Sequence, residues 1–159
     1  MKPQNGKKSI QGKHYRSLAV MAVLSFGAMY VLMYSMVDKI TNVYSNINQI
    51  YMAGLMTAPM VAIELLIMGE MYQNKRANIA ILAGSIVALI VFFALIRAQT
   101  AVSDTQFLRS MIPHHAGAIL MCERTSLQDP DLGKLCKGII ASQQEEIDLM
   151  RAKLGVLGG

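Results

Sequence analysis

Over its first hundred positions the chain sets apolar blocks between short polar stretches, and then changes to an amphipathic rhythm. Leu18 to Val37 carries no charge, Ile50 to Met68 carries one ionisable residue, Glu64, and Ile79 to Ile96 carries none. Each approaches the roughly 20 apolar residues that a helix rising about 1.5 Å per residue needs to cross a hydrocarbon layer. The pattern predicts three transmembrane helices. The polar run between the first two, Asp38 to Gln49 with Asn42, Asn46 and Asn48, reads as an exposed loop. The first block follows a basic start, yet its apolar core is too long for a signal peptide and no A-x-A-like cleavage site follows. It reads as a retained anchor.

Beyond Arg97 the apolar residues recur at helical spacing: Phe107, Leu108, Met111, Ile112, Ala118, Ile119 and Met121. Ser103 followed by Gln106 has the form of a capping box, and Asp104 suits the positive end of a helix dipole. The segment Gln128-Asp129-Pro130 stops this helix, and Pro130 suits the first turn of the next. Its apolar stripe is Leu132, Leu135, Ile139, Ile140, Ile147, Met150 and Leu154, with Gly155, Gly158 and Gly159 ending it. The expected fold is all-α: three transmembrane helices followed by an antiparallel helical hairpin. A hairpin of this size buries little surface alone, so a second copy completing a four-helix bundle is expected. Residues 1–16 then form a basic tail, 17–97 the membrane region and 98–159 the hairpin domain, with residues 1 to about 13 a mobile stretch.

Composition agrees. Hydrophobic residues make up 53% of the 159 positions and mean hydropathy is +0.38, above the usage of ordinary soluble domains. Fifteen Lys and Arg against ten Asp and Glu give a net charge of +5. The excess sits near membrane ends, at Lys2, Lys7, Lys8, Lys13 and Arg16 and again at Lys75 and Arg76, against Lys39 alone in the first loop. Positive residues are retained on the cytoplasmic side, which puts the N-terminus inside and the hairpin outside the inner or plasma membrane. The basic excess is thereby explained by topology and anionic lipid, and no nucleic-acid-binding pattern accompanies it.

Candidate chemistry concentrates in Met111-Ile112-Pro113-His114-His115-Ala116-Gly117-Ala118. At about 100° per residue, Met111, His114, His115, Ala118, Met121 and Cys122 fall within roughly 120° of helix circumference, on the face expected to point inward. Imidazole suits copper, zinc, iron and nickel, whereas thioether and thiolate favour copper(I), so the mixture points to copper. Met111 with His115 or His114 has chelating spacing, whereas the adjacent histidines diverge. Folding the hairpin about Asp129 sets Cys122 opposite Cys136, His115 near Gln143, and Met111 near Ile147 and Met150. Gln143 then has the place of a hydrogen-bond partner to an imidazole. Pro113 removes one helix hydrogen bond and could kink the helix to open the site. The plainer readings stay beside these: histidines hydrogen-bonded in a core, methionines as packing, and Cys122 with Cys136 as a disulfide in an oxidising compartment.

The run DTQFLRSMIPHHAGAILMCE from Asp104, with the later LCKGII and SQQEEIDLM ending at Met150, resembles domain-of-unknown-function family 305. Its hallmarks are an MI-x-HH-x-x-A motif and a later Q-x-x-EI-x-x-M. The resemblance covers about the last third of the chain and implies a ferritin-like helical fold. For some members it implies copper binding, here through Met111, His114, His115, Met121 and Met150, with Gln143 and Glu146 in the second motif. Members often carry two hairpins and a Trp near the end of the second helix, whereas here there is one hairpin and Lys153 stands at that place, which strengthens the expectation of a dimer.

No Glu-x-x-His pair for a di-iron centre, nucleophile triad, phosphate loop or Cys-x-x-Cys occurs, so enzyme activity has no support in the sequence. The expected function is a membrane-anchored copper-binding module that buffers the ion or exchanges it with a donor or acceptor protein. Two rivals stand beside it. One is an interaction protein whose hairpin mediates oligomerisation without metal. The other is a transporter, because Met56, Met60, Glu64, Met68 and Met71 share one face of the second span and intramembrane acids are costly. Met29, Met33 and Met36 recur at helical spacing in the first.

Overall fold

A computed structural model describes the backbone of residues 4–157 and the side chains of residues 12–157. Lys2, Lys7 and Lys8 of the charge pattern, and the terminal Gly158 and Gly159, therefore lie outside the described side chains. Among the described residues the chain is all-helical: α1 (Gln4–Leu32), α2 (Ile47–Ile67), α3 (Lys75–Ala98), α4 (Asp104–Arg124) and α5 (Pro130–Leu157), with three short 3-10 turns and no strand. Because α1 begins at Gln4, most of the stretch read as a mobile tail is helical. Likewise α5 continues through Gly155 to Leu157.

The chain divides into two compact units, residues 1–31 with 50–100, and residues 32–49 with 101–159. In the first, three helical segments are long and apolar enough to cross a membrane: Gly12–Met36, Ile47–Ile67 and Lys75–Ala98. They match the expected blocks within a few residues, although the ends of the first two continue into the second unit. Leu18 of α1 is buried with Leu65 and Tyr72, and Ile81 and Leu82 of α3 pack on the same cluster. The middle of α1 thus lies beside the end of α2 and the start of α3, as in three spans of alternating direction. Tyr15 donates to Asn78 Oδ1 at 2.6 Å, and Asn74 caps α3 by accepting from Ala77 N at 3.2 Å.

The second unit is built on two long helices and one polar loop. On α4, Ile112, Ala116 and Ile119 are buried against Ile147 and Met150 of α5, with Leu108, Met111 and Leu154 around them. Ser103 caps α4 as expected, accepting from Gln106 N at 3.4 Å. The reciprocal half of the capping box is absent, because Gln106 Oε1 accepts from Ile47 N at 2.9 Å instead. Asp129 caps α5, its Oδ1 accepting from Asp131 N and Leu132 N, and Pro130 takes the first helical position.

The polar run Asp38 to Gln49 corrects the expectation of an exposed loop, and it extends the hairpin domain beyond residues 98–159. Asn42 and Asn46 are only 2% and 3% exposed, and Val37 and Tyr44 pack on the aliphatic cluster. The cause is hydrogen bonding. Arg151 of α5 donates to Thr41 O, Thr41 Oγ1 and, at 2.6 Å, Asn42 Oδ1, while Asn42 Nδ2 donates to Asp38 Oδ1 at 2.6 Å. Asn46 Nδ2 reaches Arg109 O at 3.4 Å. That carbonyl lies four residues before Pro113, which has no N–H to offer it, so Pro113 supplies an acceptor to the loop while α4 runs on through it. Two helices alone would leave one side of the cluster open, and the loop closes it.

Asn42→Ala is expected to cost about 2 kcal/mol by leaving buried partners unpaired. Denaturant unfolding of the detergent-solubilised chain, followed through the hairpin, checks this; a change within about 0.5 kcal/mol is what a solvated loop residue would give.

Candidate functional site

Each helix contributes an i, i+4 pair to one layer, Met111 with His115 on α4 and Glu146 with Met150 on α5. His115 is 7% exposed. Its Nδ1 lies 2.9 Å from Met111 O, and its Nε2 lies 2.6 Å from Glu146 Oε2. A carbonyl and a carboxylate both accept, so the ring satisfies both when both nitrogens carry hydrogen, and the contact with Glu146 is then an ion pair. Met150 is buried at 9% and Met111 packs against its cluster. The first motif's histidine is therefore clasped by the second motif's glutamate, over a shared aliphatic core.

The six residues expected on one inward face do not stay together. His114 is exposed and Met121 is 58% exposed. The rings of His114 and His115 meet edge-on with centroids 6.0 Å apart, as divergent neighbours on a helix do. The stripe that closes against α5 runs through Ile112, Ala116 and Ile119, since burying branched aliphatic residues removes the most apolar area from water. Cys122 and Cys136 do face each other as the register predicts, with Cα atoms 5.2 Å apart, and they form a disulfide. As candidate metal ligands both are corrected: a disulfide leaves no thiolate to donate. The place expected for Gln143 beside His115 belongs to Glu146, one turn further along α5. A straight count about Asp129 gives the Cys122–Cys136 pairing near the turn, whereas toward the base of the hairpin the observed pairing is displaced by three residues.

In the membrane-type unit, Met56 and Met68 of the proposed path are 42% and 38% exposed, and Met60 and Glu64 are half-buried. The buried side of α2 holds Tyr51, Ala53, Gly54, Thr57, Ala58 and Leu65. Met56 and Met68 thus lie away from the buried side of α2, with Met60 and Glu64 less exposed. Glu64 has a neighbour at the end of the span: with burial as the larger cause, its carboxylate and then Tyr15 hold the Tyr72 hydroxyl above its ordinary range.

Among the described residues no group of three or more His, Cys, Asp or Glu converges as a metal site. Zinc and di-iron centres need such a group. Beside the aliphatic cluster lie the thioethers of Met111 and Met150, the His115 imidazole and the Glu146 carboxylate. Sequence reasoning missed the residues that fix this layer, Arg151, Asn42 and Asn46. One signal was available in Pro113, whose missing N–H frees the Arg109 carbonyl for a donor from outside the helix.

Three helices of membrane-crossing length and a disulfide-linked helix pair with a double-histidine motif define a class of helical membrane-type protein. The chain belongs to the family described as domain of unknown function (DUF305), whose model matches residues 92–154. It is also 31% identical over 142 residues to a protein of Acanthamoeba polyphaga mimivirus described as Uncharacterized protein L153, covering 86% of this chain and 90% of that one. No solved structure matches it significantly.

Two outcomes test the clasp. Glu146→Ala is expected to destabilise the hairpin by about 1–2 kcal/mol, the carboxylate being half in solvent, with Glu146→Gln recovering part of the loss through a neutral hydrogen bond. Reducing Cys122–Cys136, which closes a loop of 14 residues, should cost about 3 kcal/mol, read as a shift of the denaturant midpoint with and without reductant.

Proposed function

We propose that this chain is a membrane-anchored metal-binding module whose ion is copper, buffered or handed on outside the cytoplasm. The observation that carries the reading is the layer in which the thioethers of Met111 and Met150 accompany the His115–Glu146 pair. Met111, His115 and Met150 would hold the ion, and copper would supply soft Lewis acidity there. The chain's own part is positional. Met111 O fixes the imidazole through Nδ1, and Nε2 becomes a donor when Glu146, exposed over about half its side chain, turns into solvent. Orientation is supported by the charge pattern, with Lys13 and Arg16 before the first span and Lys75 and Arg76 between the second and third. A disulfide persists in an oxidising compartment, which supports the same side for the hairpin.

One observation favours a second reading, that the hairpin is an interaction device without metal: both nitrogens of His115 are already engaged. Titration of the purified full chain with copper(I) against a competing chelator separates the two. The metal reading expects one ion per chain at this layer, and an affinity at least about tenfold weaker in His115→Ala and in Met150→Ala, as loss of one donor predicts. Native protein that takes up no copper, while His115→Ala loses stability, establishes the clasp alone.

A further inference from the structure

The three membrane-length helices of the first unit meet at two levels and stand apart between them. At one level Leu18, Leu65 and Tyr72 are buried together, with Val61 and Ile81 packed on them. At the other the Phe92 ring lies on Gly54, where a Cβ would run into it. Between these levels a cavity of about 290 Å³ opens among α1, α2 and α3, with Phe26 as its wall on α1. Its lining follows the helices, from Gly54 to Val61 on α2 and from Phe92 back to Ile81 on α3, a length of about 10 to 16 Å at the helical rise. Spread over that length, the volume is a slot about one hydrocarbon chain wide.

Neither water nor the protein fills it. By volume the slot is worth about ten waters, and each buried water needs two to four polar partners. The only polar side chains in the lining are two hydroxyls. Thr57 donates to Ala53 O at 2.8 Å, whereas Ser85 is 8% exposed and makes no hydrogen bond among the described residues. In an apolar medium hydroxyls on neighbouring helices pair when they can reach each other. Here they line one slot from opposite helices without pairing, so the helices are held apart at this level. A void of such size forfeits too many contacts to stay empty.

Thr57 stands at the midpoint of Ile47–Ile67 and Ser85 near that of Lys75–Ala98, so the slot lies at the depth of bilayer hydrocarbon. We propose that it holds one acyl chain of a membrane phospholipid as a fixed part of the three-helix unit. The slot runs parallel to the helices, as a lipid chain does in a bilayer. Gly84, on its rim, is exposed, and a Cβ there meets nothing within 4 Å, so a chain enters sideways without displacing protein. No hydrophobic force presses helices together inside hydrocarbon, so filling the gap from the surrounding lipid is easier than closing it. The chain then touches Phe26, Ala58 and Ala88 at once and joins three helices that do not reach one another there. This inference is independent of the copper reading.

The experiment places the full chain in vesicles containing a phospholipid spin-labelled at mid-chain and follows the label by electron spin resonance. One slowly exchanging chain per protein is expected beside the fast-exchanging lipid shell. It should be the same for neutral and anionic headgroups, because no charged side chain lines the slot. Gly84→Leu and Ala88→Leu, which fill the slot from two turns of α3, should each lose that chain. Ala83→Leu, at an exposed position outside the slot, should keep it. Circular dichroism checks that all three variants hold the native helix content. A native chain with no slow component, a slow component unchanged in both filling variants, or one that follows headgroup charge overturns the proposal. So does a dimer that Gly84→Leu dissolves, because a helix of a second copy would then occupy the slot.

Discussion

Closure of one small aliphatic seam governs the second unit. Ile112, Ala116 and Ile119 on α4 and Ile147 and Met150 on α5 form too narrow a core for two helices to enclose. The remaining side is shut by residues 37–46, a polar segment that enters because its amides find partners on the helices and not because it is apolar. Arg151, Asn42 and Asp38 form one chain of bonds and Asn46 with Arg109 O a second contact. Remove the seam and these bonds have nothing to lie over; remove the bonds and the seam is wet on one side.

The same closure sets what His115 can do. Being beside the seam, its ring is almost wholly withdrawn from water, so both nitrogens need partners, and Met111 O and Glu146 provide them. A buried imidazole so held is well positioned but not vacant. An ion that used Nε2 would compete with the Glu146 carboxylate, half of whose side chain is already solvated. His114, one residue earlier, is exposed and has none of this constraint. The paired histidines of the motif are thus chemically unlike: one belongs to the core, the other to the surface.

The disulfide and the His115–Glu146 hydrogen bond divide the labour along the hairpin. Cys122–Cys136 ties the helices near the turn, where few apolar side chains are buried, and Leu132 and Leu135 stand 47% and 58% exposed. Toward the base, where the seam and loop supply burial, the His115–Glu146 pair suffices. Covalent bracing at the thin end and packing at the thick end are what a two-helix unit with one small core requires.

What the sequence determined by itself is whatever depends on local repetition. Three blocks near twenty residues, free or nearly free of charge, dictate helices of membrane-crossing length, because nothing else satisfies so much backbone among apolar side chains. Ser103, Asp129 and Pro130 mark helix starts through bonds within three residues. The Cys122–Cys136 facing also follows from a count across a short turn. Tertiary structure alone decided which of two adjacent stripes on α4 turns inward. Both are apolar and helical in period, and the difference lies in the shape offered by α5 and the loop. It also decided that Glu146 rather than Gln143 meets His115, three residues beyond the straight count, and that Asn42 and Asn46 of the polar run are buried. Those outcomes depend on partners more than thirty residues away, which no periodicity encodes.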